Sequence, residues 1–323
     1  MTIQEIYKLA IDLGIKSDFR SKAEIQEYLK RKKAKYDKLP KDEKDFFDKD
    51  SLFNPYSDFR VYVDDGVKKV KKILAAIDVD SSDFLMVKYL NDQNPKEKFD
   101  LVINHHMFGR ALLDLNDVMH LQADVLSLYG IPINIAESLL KMRVDEVYRK
   151  IAPSNAYKEI DTAKMLGINF MNVHTPADNM VAKFVEKKIT KDKPRYVSDI
   201  LKALFQIPEY KEAAKLGFGP MIIAGKSENR CGKVAFSEIT GGTEGSSEIY
   251  SALANAGVGT VIAMHLSEEH RKAAEKAHIN VVVAGHISSD SLGMNLFLDE
   301  LERKGIEIVP LGGLIRISRN KKK

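Results

Sequence analysis

The feature that most constrains this chain is a series of short apolar runs that do not alternate with polar residues. Leu101-Val-Ile-Asn104, Gly167-Ile-Asn-Phe-Met-Asn-Val173, Thr260-Val-Ile-Ala-Met264 and Asn280-Val-Val-Val-Ala284 are the clearest. Unbroken runs of this length suit strands covered on both faces, as in a parallel sheet. Further strands are predicted at Val70–Ile77, Met221–Ala224, Lys233–Ser237, Ile306–Val309 and Leu314–Ile317. Helices are predicted at Phe84–Leu90, Leu112–Leu128, Met180–Ile189, Val197–Phe205, Glu209–Leu216, Ser246–Asn255 and Glu268–Ala277, and from after Asp290 to Arg303. Strands spaced by helices imply an α/β fold of βαβ units with right-handed crossovers and mixed or parallel sheets.

The 323 residues suffice for one large or two moderate domains. Lys187–Tyr196 is polar and contains Pro194, so it reads as a linker between two α/β lobes at 61–190 and 191–323. Residues 1–60 read as a helical N-terminal extension, outside the catalytic body. Ile3, Ile6, Leu9, Ala10 and Leu13 recur at helical spacing, and a second helix follows Ser21 with Ile25, Tyr28 and Leu29 as its stripe. The run Arg31-Lys-Lys-Ala-Lys35 invites a nucleic-acid reading, but Asp42, Glu43, Asp45 and Asp48 follow closely and favour a solvated face. A net charge of +4 argues neither for nor against such a partner. No apolar run approaches the ~18 residues of a membrane span, and the start has no signal-peptide pattern. The expected setting is the cytoplasm, without a membrane partner. The Lys321–Lys323 tail reads as frayed.

The chemistry lies in the eight histidines and the near absence of cysteine, of which there is one. One cysteine excludes a disulfide framework or a Cys-rich metal module, so a metal would be held by nitrogen and oxygen. His105 and His106 follow the strand Leu101–Asn104. His174 follows the strand ending at Val173, with Asp178 four residues on, and His286 follows the strand ending at Ala284, with Asp290 four residues on. Strand C-termini line the ligand crevice of open parallel sheets. Imidazole and carboxylate suit zinc, iron, manganese or cobalt. Adjacent histidines on an extended chain face opposite ways, so a bend is needed to bring both to one site. Such a bend can give each imidazole to a different ion of a pair, with an Asp bridging ions ~3.5–4 Å apart.

Other motifs are weaker. Gly219 to Ser227 resembles a phosphate loop, but five residues separate its glycines where the motif needs four, and a turn follows where a helix is required. Gly241, Gly242 and Gly245 lie between a strand and a helix. Their amides offer a contact for an anion or nucleotide; a tight turn capped by Ser is the alternative. His265 ends a strand and can face the crevice, whereas His270 is expected on a solvated helix face. His120, His278 and Cys231 carry no motif.

Together, Asp100-Leu-Val-Ile-Asn-His105-His106, Val173-His174-Thr-Pro-Ala-Asp178 and Ala284-Gly-His286-Ile-Ser-Ser-Asp290 resemble the Nif-three-like dinuclear metal-centre family, also described as GTP cyclohydrolase 1 type 2. The resemblance spans most of residues 67–317. It implies two α/β lobes enclosing a dinuclear metal cleft, hexameric rings, and His105, His106, Asp178, His286 and Asp290 as ligands of two divalent ions per chain. His174 would sit beside the ions, backing a ligand or moving protons. The family usually has Glu where Asp290 stands, its interval between His106 and His174 is usually shorter, and its counterpart of Met264–His270 reads differently. The expected function is a metal-dependent hydrolase acting on a nucleotide, a cyclic amide or a phosphoester, with His174 and His265 as proton carriers. From a different class, a ring-forming metal-binding scaffold or regulator that docks protein or nucleic acid fits the same residues.

Overall fold

The amphipathic start folds as its spacing predicts. Helix α1 (Ile3–Ser17) opens with a capping box between Thr2 and Glu5 and buries Ile3, Ile6, Tyr7, Ala10 and Ile11. Helix α2 (Lys22–Lys38) buries only Ile25, and three cations of its basic run are paired: Arg31 with Glu27, Lys33 with Asp37 and Lys32 with Asp117. The structure is a computed structural model that describes residues 1–320; the basic tail at 321–323 lies outside the described residues.

Beyond the extension come β1 (Val61–Val63), β2 (Lys72–Ala76), α3 (Ser81–Gln93) and β3 (Leu101–Asn104). Five helices then precede the next strand: α4 (Gly109–Leu113), α5 (Leu115–Val118), α6 (Leu121–Leu128), α7 (Ile133–Ile151) and α8 (Lys158–Leu166). They fill the long interval between His106 and His174. The sequence reading leaves 129–166 without elements, although Ala136, Leu140, Val144 and Val147 form the buried stripe of α7. Strand β4 (Phe170–Asn172) leads into α9 (Thr175–Asp192), and α10 (Val197–Leu204) and α11 (Pro208–Lys215) follow. The remainder is β5 (Met221–Ala224), β6 (Lys233–Glu238), α12 (Ile249–Asn255), β7 (Val258–Ala263), α13 (Glu268–Lys276), β8 (Asn280–Val283), α14 (His286–Arg303) and β9 (Glu307–Leu311).

These strands build two sheets, in the orders β1-β4-β3-β2-β9 and β5-β8-β7-β6. All neighbours are parallel except the edge strands β1 and β5. The architecture is thus mixed α/β with two sheets and a helical N-terminal region, as the pattern of apolar runs predicts. The last strand, β9, pairs with β2, so the chain closes in its first sheet.

Three local expectations need correction. The stretch read as a linker from Lys187 is the last two turns of α9, which ends at Asp192 because Pro194 disfavours helix before it. Leu314–Ile317 forms no strand. The Ile315 backbone instead bonds to Ser291 and Asn295 side chains of α14. Helices α9 and α14 begin at Thr175 and His286, several residues earlier than predicted, with Pro176 in the first turn of α9.

Helix α9 is gripped from two sides. Gly293 of α14 lies so close to it that a Cβ there would fall 2.4 Å from the Ala177 carbonyl oxygen. Only glycine permits that approach, and it brings the first turns of the two helices together. On the other side the extension is part of the core. Asn179 donates to Asp18 at 3.3 Å and to the Tyr56 hydroxyl at 3.2 Å, and Arg20 pairs with the same Asp18 at 2.9 Å.

Candidate metal centre

Backbone bonds hold the His105–His106 doublet in a bend at the end of β3. His105 N donates to Ala76 O and His106 N to Ile77 O, while Asn104 Nδ2 donates to His106 O at 2.7 Å. The bend brings the two rings to 5.1 Å between centroids instead of opposing them across the strand. His174 caps α9 and Asp178 lies one turn on, with 3.9 Å between Nε2 and Oδ2. His286 opens α14 and Asp290 lies one turn on, with 3.5 Å between Nε2 and Oδ2. Spacing of four on a helix puts each pair on one face.

Asp290 is the hub. Its Oδ1 is 3.6 Å from His105 Nε2, and its Oδ2 is 3.6 Å from His106 Nε2 as well as 3.5 Å from His286 Nε2. His105 Nε2 is also 3.5 Å from Asp178 Oδ1. None of these is a hydrogen bond. Asp178 Oδ1 and both Asp290 oxygens are buried without any partner, a costly state for carboxylates. A tetrahedral shell of ~2.1 Å bonds spaces its ligand atoms ~3.4 Å apart, close to the separations seen here. Three overlapping groups (His105–His106–His174, His106–His286–Asp290 and His105–Asp178–Asp290) can each hold a metal ion.

The outer nitrogens supply an independent test. His105 Nδ1 donates to Val173 O at 2.9 Å, His106 Nδ1 to Asp78 Oδ1 at 2.7 Å and His174 Nδ1 to Asp58 Oδ2 at 2.7 Å. Carbonyl and carboxylate oxygens only accept, so each Nδ1 carries a proton and each ring turns Nε2 inward, where the neutral form offers a lone pair. Metal-binding histidines need that tautomer. Asp58, which also accepts from Thr175 Oγ1 at 2.6 Å, comes from the N-terminal extension.

Titration follows burial. Desolvation pushes the Asp290 carboxyl up to about 7 and the Asp178 carboxyl well above its ordinary value, with Asp290 and Asp58 adding repulsion at Asp178. Burial holds the His105 imidazole well below its usual value and His286 at about 4, each also opposed by neighbouring imidazoles. At His106, burial opposes the charge, but the Asp78 hydrogen bond and the Asp290 charge outweigh it, and the pKa is raised. Two carboxylates that burial drives toward the neutral form, facing imidazole nitrogens, suit a divalent ion, which would stabilise their charged form.

The remaining candidates divide. His265 faces the same cleft, its ring 5.1 Å from His286. The cleft is also lined by Glu238, Thr240, Gly242 and Thr243. Gly241 and Gly242 have φ of +95° and +88°, and Cβ atoms there would strike Gln122 and Val118, as one at Gly245 would strike Gln122. Their glycines therefore serve a tight packed turn, pinned by Gln122 Nε2 on the carbonyls of Gly241 and Thr243. His270 is buried, bonded to Gly245 O and Ser267, and not on a solvated face. Cys231 is buried, with its thiol on Pro194 O.

Sequence reasoning misses Asp58, Asp78 and Glu238. Asp58 and Asp78 reach their histidines from 116 and 28 residues away, so no local spacing marks them. Glu238 ends a strand, as the histidine clusters do, and that position is its one visible signal.

Two α/β sheets with a buried His/Asp cluster between helices α9 and α14 define a protein built around a centre that can hold a metal ion. Its fold is that of the NIF3 superfamily. The solved NIF3 superfamily protein from Sphaerobacter thermophilus is similar over 97% of this chain and 99% of that chain, with a TM-score of 0.70 and 22% identity. Reduced HcgD from Methanocaldococcus jannaschii matches at a TM-score of 0.43 and 16% identity, over 78% of this chain and 87% of that chain. TTHA1606 from Thermus thermophilus matches at 0.46 and 15%, over 82% and 92%. No family model and no curated protein matches the sequence. No helix among the described residues is long and apolar enough to cross a membrane.

Proposed function

We propose that the chain is a metal-dependent hydrolase of the NIF3 superfamily whose cleft takes two divalent ions, zinc, iron or manganese. His105, Asp178 and Asp290 Oδ1 would hold one ion, and His106, His286 and Asp290 Oδ2 the other. The observation that carries this reading is the division of Asp290, whose two unpartnered oxygens face two different sets of nitrogens. When bound, such ions acidify water and polarise the bond under attack. The protein contributes orientation: Val173 O, Asp78 and Asp58 fix three imidazoles, and the Gly293 contact sets Asp178 against Asp290. His174, backed by Asp58, is placed to take a proton from attacking water at Nε2. The substrate in this reading is a small molecule: a nucleotide, a cyclic amide or a phosphoester. A homo-oligomer, the hexameric ring of the family resemblance, completes this reading.

Elemental analysis of metal-reconstituted protein tests it, with two ions per chain expected and fewer than one overturning it. A hydrolase panel with metal-loaded protein comes next, in which turnover abolished by Asp290→Ala is expected. Metal binding without such turnover would favour a scaffold.

A further inference from the structure

Beside the His/Asp cluster, the cleft is lined by two carboxylates that belong to no metal-holding group, Glu238 and Glu244; Glu244 is engaged by Ser267 N at 2.8 Å and lies 3.3 Å from His270. Glu238 closes β6, beside β7 and β8, whose ends lead to His265 and His286. Glu238 pairs in register with Ala263, and Ala263 with Val283, so Glu238 stands level with the end of β8 at two strand spacings. That is ~10 Å of lateral separation, room for a small molecule between them. Its side chain lines the cleft together with Asp178 and Asp290. Among the described residues the carboxylate accepts one hydrogen bond, a long one from Gly245 N to Oε2 at 3.5 Å. Because Glu238 O accepts from Met264 N, its backbone is fixed while its head stays free to meet a ligand.

We propose that Glu238 is the proton donor of this cleft, protonating the leaving atom of a substrate held between it and the His/Asp cluster. The proposal rests on the hydrolase reading above. In the step, water oxygen bonds to the attacked carbon or phosphorus, and the bond from that atom to the leaving nitrogen or oxygen breaks. The electron pair stays on the leaving atom, which takes the Glu238 proton. The proton shed by water leaves through His174, and solvent restores the proton on Glu238.

The surroundings suit a donor. Glu244 on the same loop repels a second negative charge, and Tyr250 from α12 has a buried hydroxyl without a partner. Arg143 from α7 opposes them but spends its Nε on Glu244 O and its Nη1 on Glu146. His270 from α13 is tied to Gly245 O, and His265 faces the cleft side. Burial first, then Glu244, pushes the Glu238 carboxyl up to about 7. A general acid works best with a pKa near the working pH.

The test compares wild type, Glu238→Gln and Glu238→Asp, all metal-loaded, over a pH series on the substrate found in the panel. The Gln variant is expected to lose ~10²–10⁴-fold in kcat/KM, together with the alkaline limb near neutrality. The Asp variant should restore that limb at a reduced rate. In parallel, infrared difference spectra of the metal-loaded protein, in which Asp178 and Asp290 would be held as ligands, should show a protonated-carboxyl band that titrates near neutrality in wild type and is missing from the Gln variant. Turnover with an unchanged profile in the Gln variant, or no such band, overturns the proposal and leaves the hydrolase reading standing. A wild type without turnover overturns the hydrolase reading, and the proposal with it.

Discussion

The two walls of the cleft are built differently. On the first-sheet side, His105, His106 and His174 each donate from Nδ1 to a fixed oxygen, so their rings are aimed before any ligand arrives. On the second-sheet side, His286, His265 and Glu238 are loosely held. Among the described residues neither His286 nor His265 has a ring hydrogen bond, and the His286 side chain is 42% exposed. Asp290 belongs to the loose wall by sequence but faces both. Pre-aimed ligands lose little freedom on binding, whereas free side chains can follow a substrate. The molecule thus sets a rigid half against an adaptable half, and the candidate metal site is their seam.

Breaking the seam should have the largest effect. Asp290→Ala removes the one side chain that reaches both sets of imidazoles, and the loss in metal affinity should exceed the ~10–100-fold typical of an orienting neighbour. Elemental analysis after dialysis against a buffered metal series measures this. If Asp290→Ala keeps full stoichiometry, the two walls hold their metals separately. Next comes the rigid wall's buried orienter. Asp58→Asn keeps the shape but no longer fixes which nitrogen of His174 carries the proton, so kcat/KM of the metal-loaded protein should fall ~10²–10⁴-fold, the range of a proton carrier, while metal affinity changes little. The same change should leave the His286 ring untouched, which histidine NMR shifts can follow.

Much of this seam is legible in the sequence. His105, His106, His174, Asp178, His286 and Asp290 all sit at or just beyond strand ends, because a parallel sheet opens its ligand crevice there. The bend at Asn104–His106 can be demanded from the doublet but not seen, because it is made by bonds to β2. The early start of α9 is hidden because the helix packs its polar first turn inward, burying Thr175, Asp178 and Asn179. Nothing local marks β9 as a partner of β2, since that pairing joins residues more than 230 positions apart. The extension reads as peripheral for the same reason: Asp18, Tyr56 and Asp58 act on Asn179 and His174 across the fold. Local periodicity reports elements, and long-range pairing has to be supplied by the structure.

A smaller effect probes the adaptable wall. Glu238 titrates at about 7 in the folded chain, above the ordinary 4.5 of a glutamate. An acid raised in this way binds more protons folded than unfolded, so stability falls as pH rises from ~4.5 through 7 and stays lower above. Glu238→Gln removes that penalty. In metal-free protein the variant should be more stable than wild type at pH 8 by on the order of 2 kcal/mol, with the difference shrinking at pH 5. Denaturation midpoints at the two pH values read it. A pH-independent difference would mean that Glu238 is held by contacts rather than by its burial.

The smallest effect tests why the rigid wall is rigid. Asp78 orients His106 with the same 2.7 Å bond that Asp58 makes to His174, but its side chain is 68% exposed where that of Asp58 is 0% exposed. Water competes for an exposed hydrogen bond and salt screens its charge, so the two equal distances should not carry equal energies. Asp78→Asn should weaken metal binding only several-fold, below the ~10-fold floor for a buried orienter, and the gap between variant and wild type should narrow at high salt. Titrations at low and high ionic strength measure both. If Asp78→Asn weakens metal binding ten-fold or more at every ionic strength, exposure is not what limits an orienter.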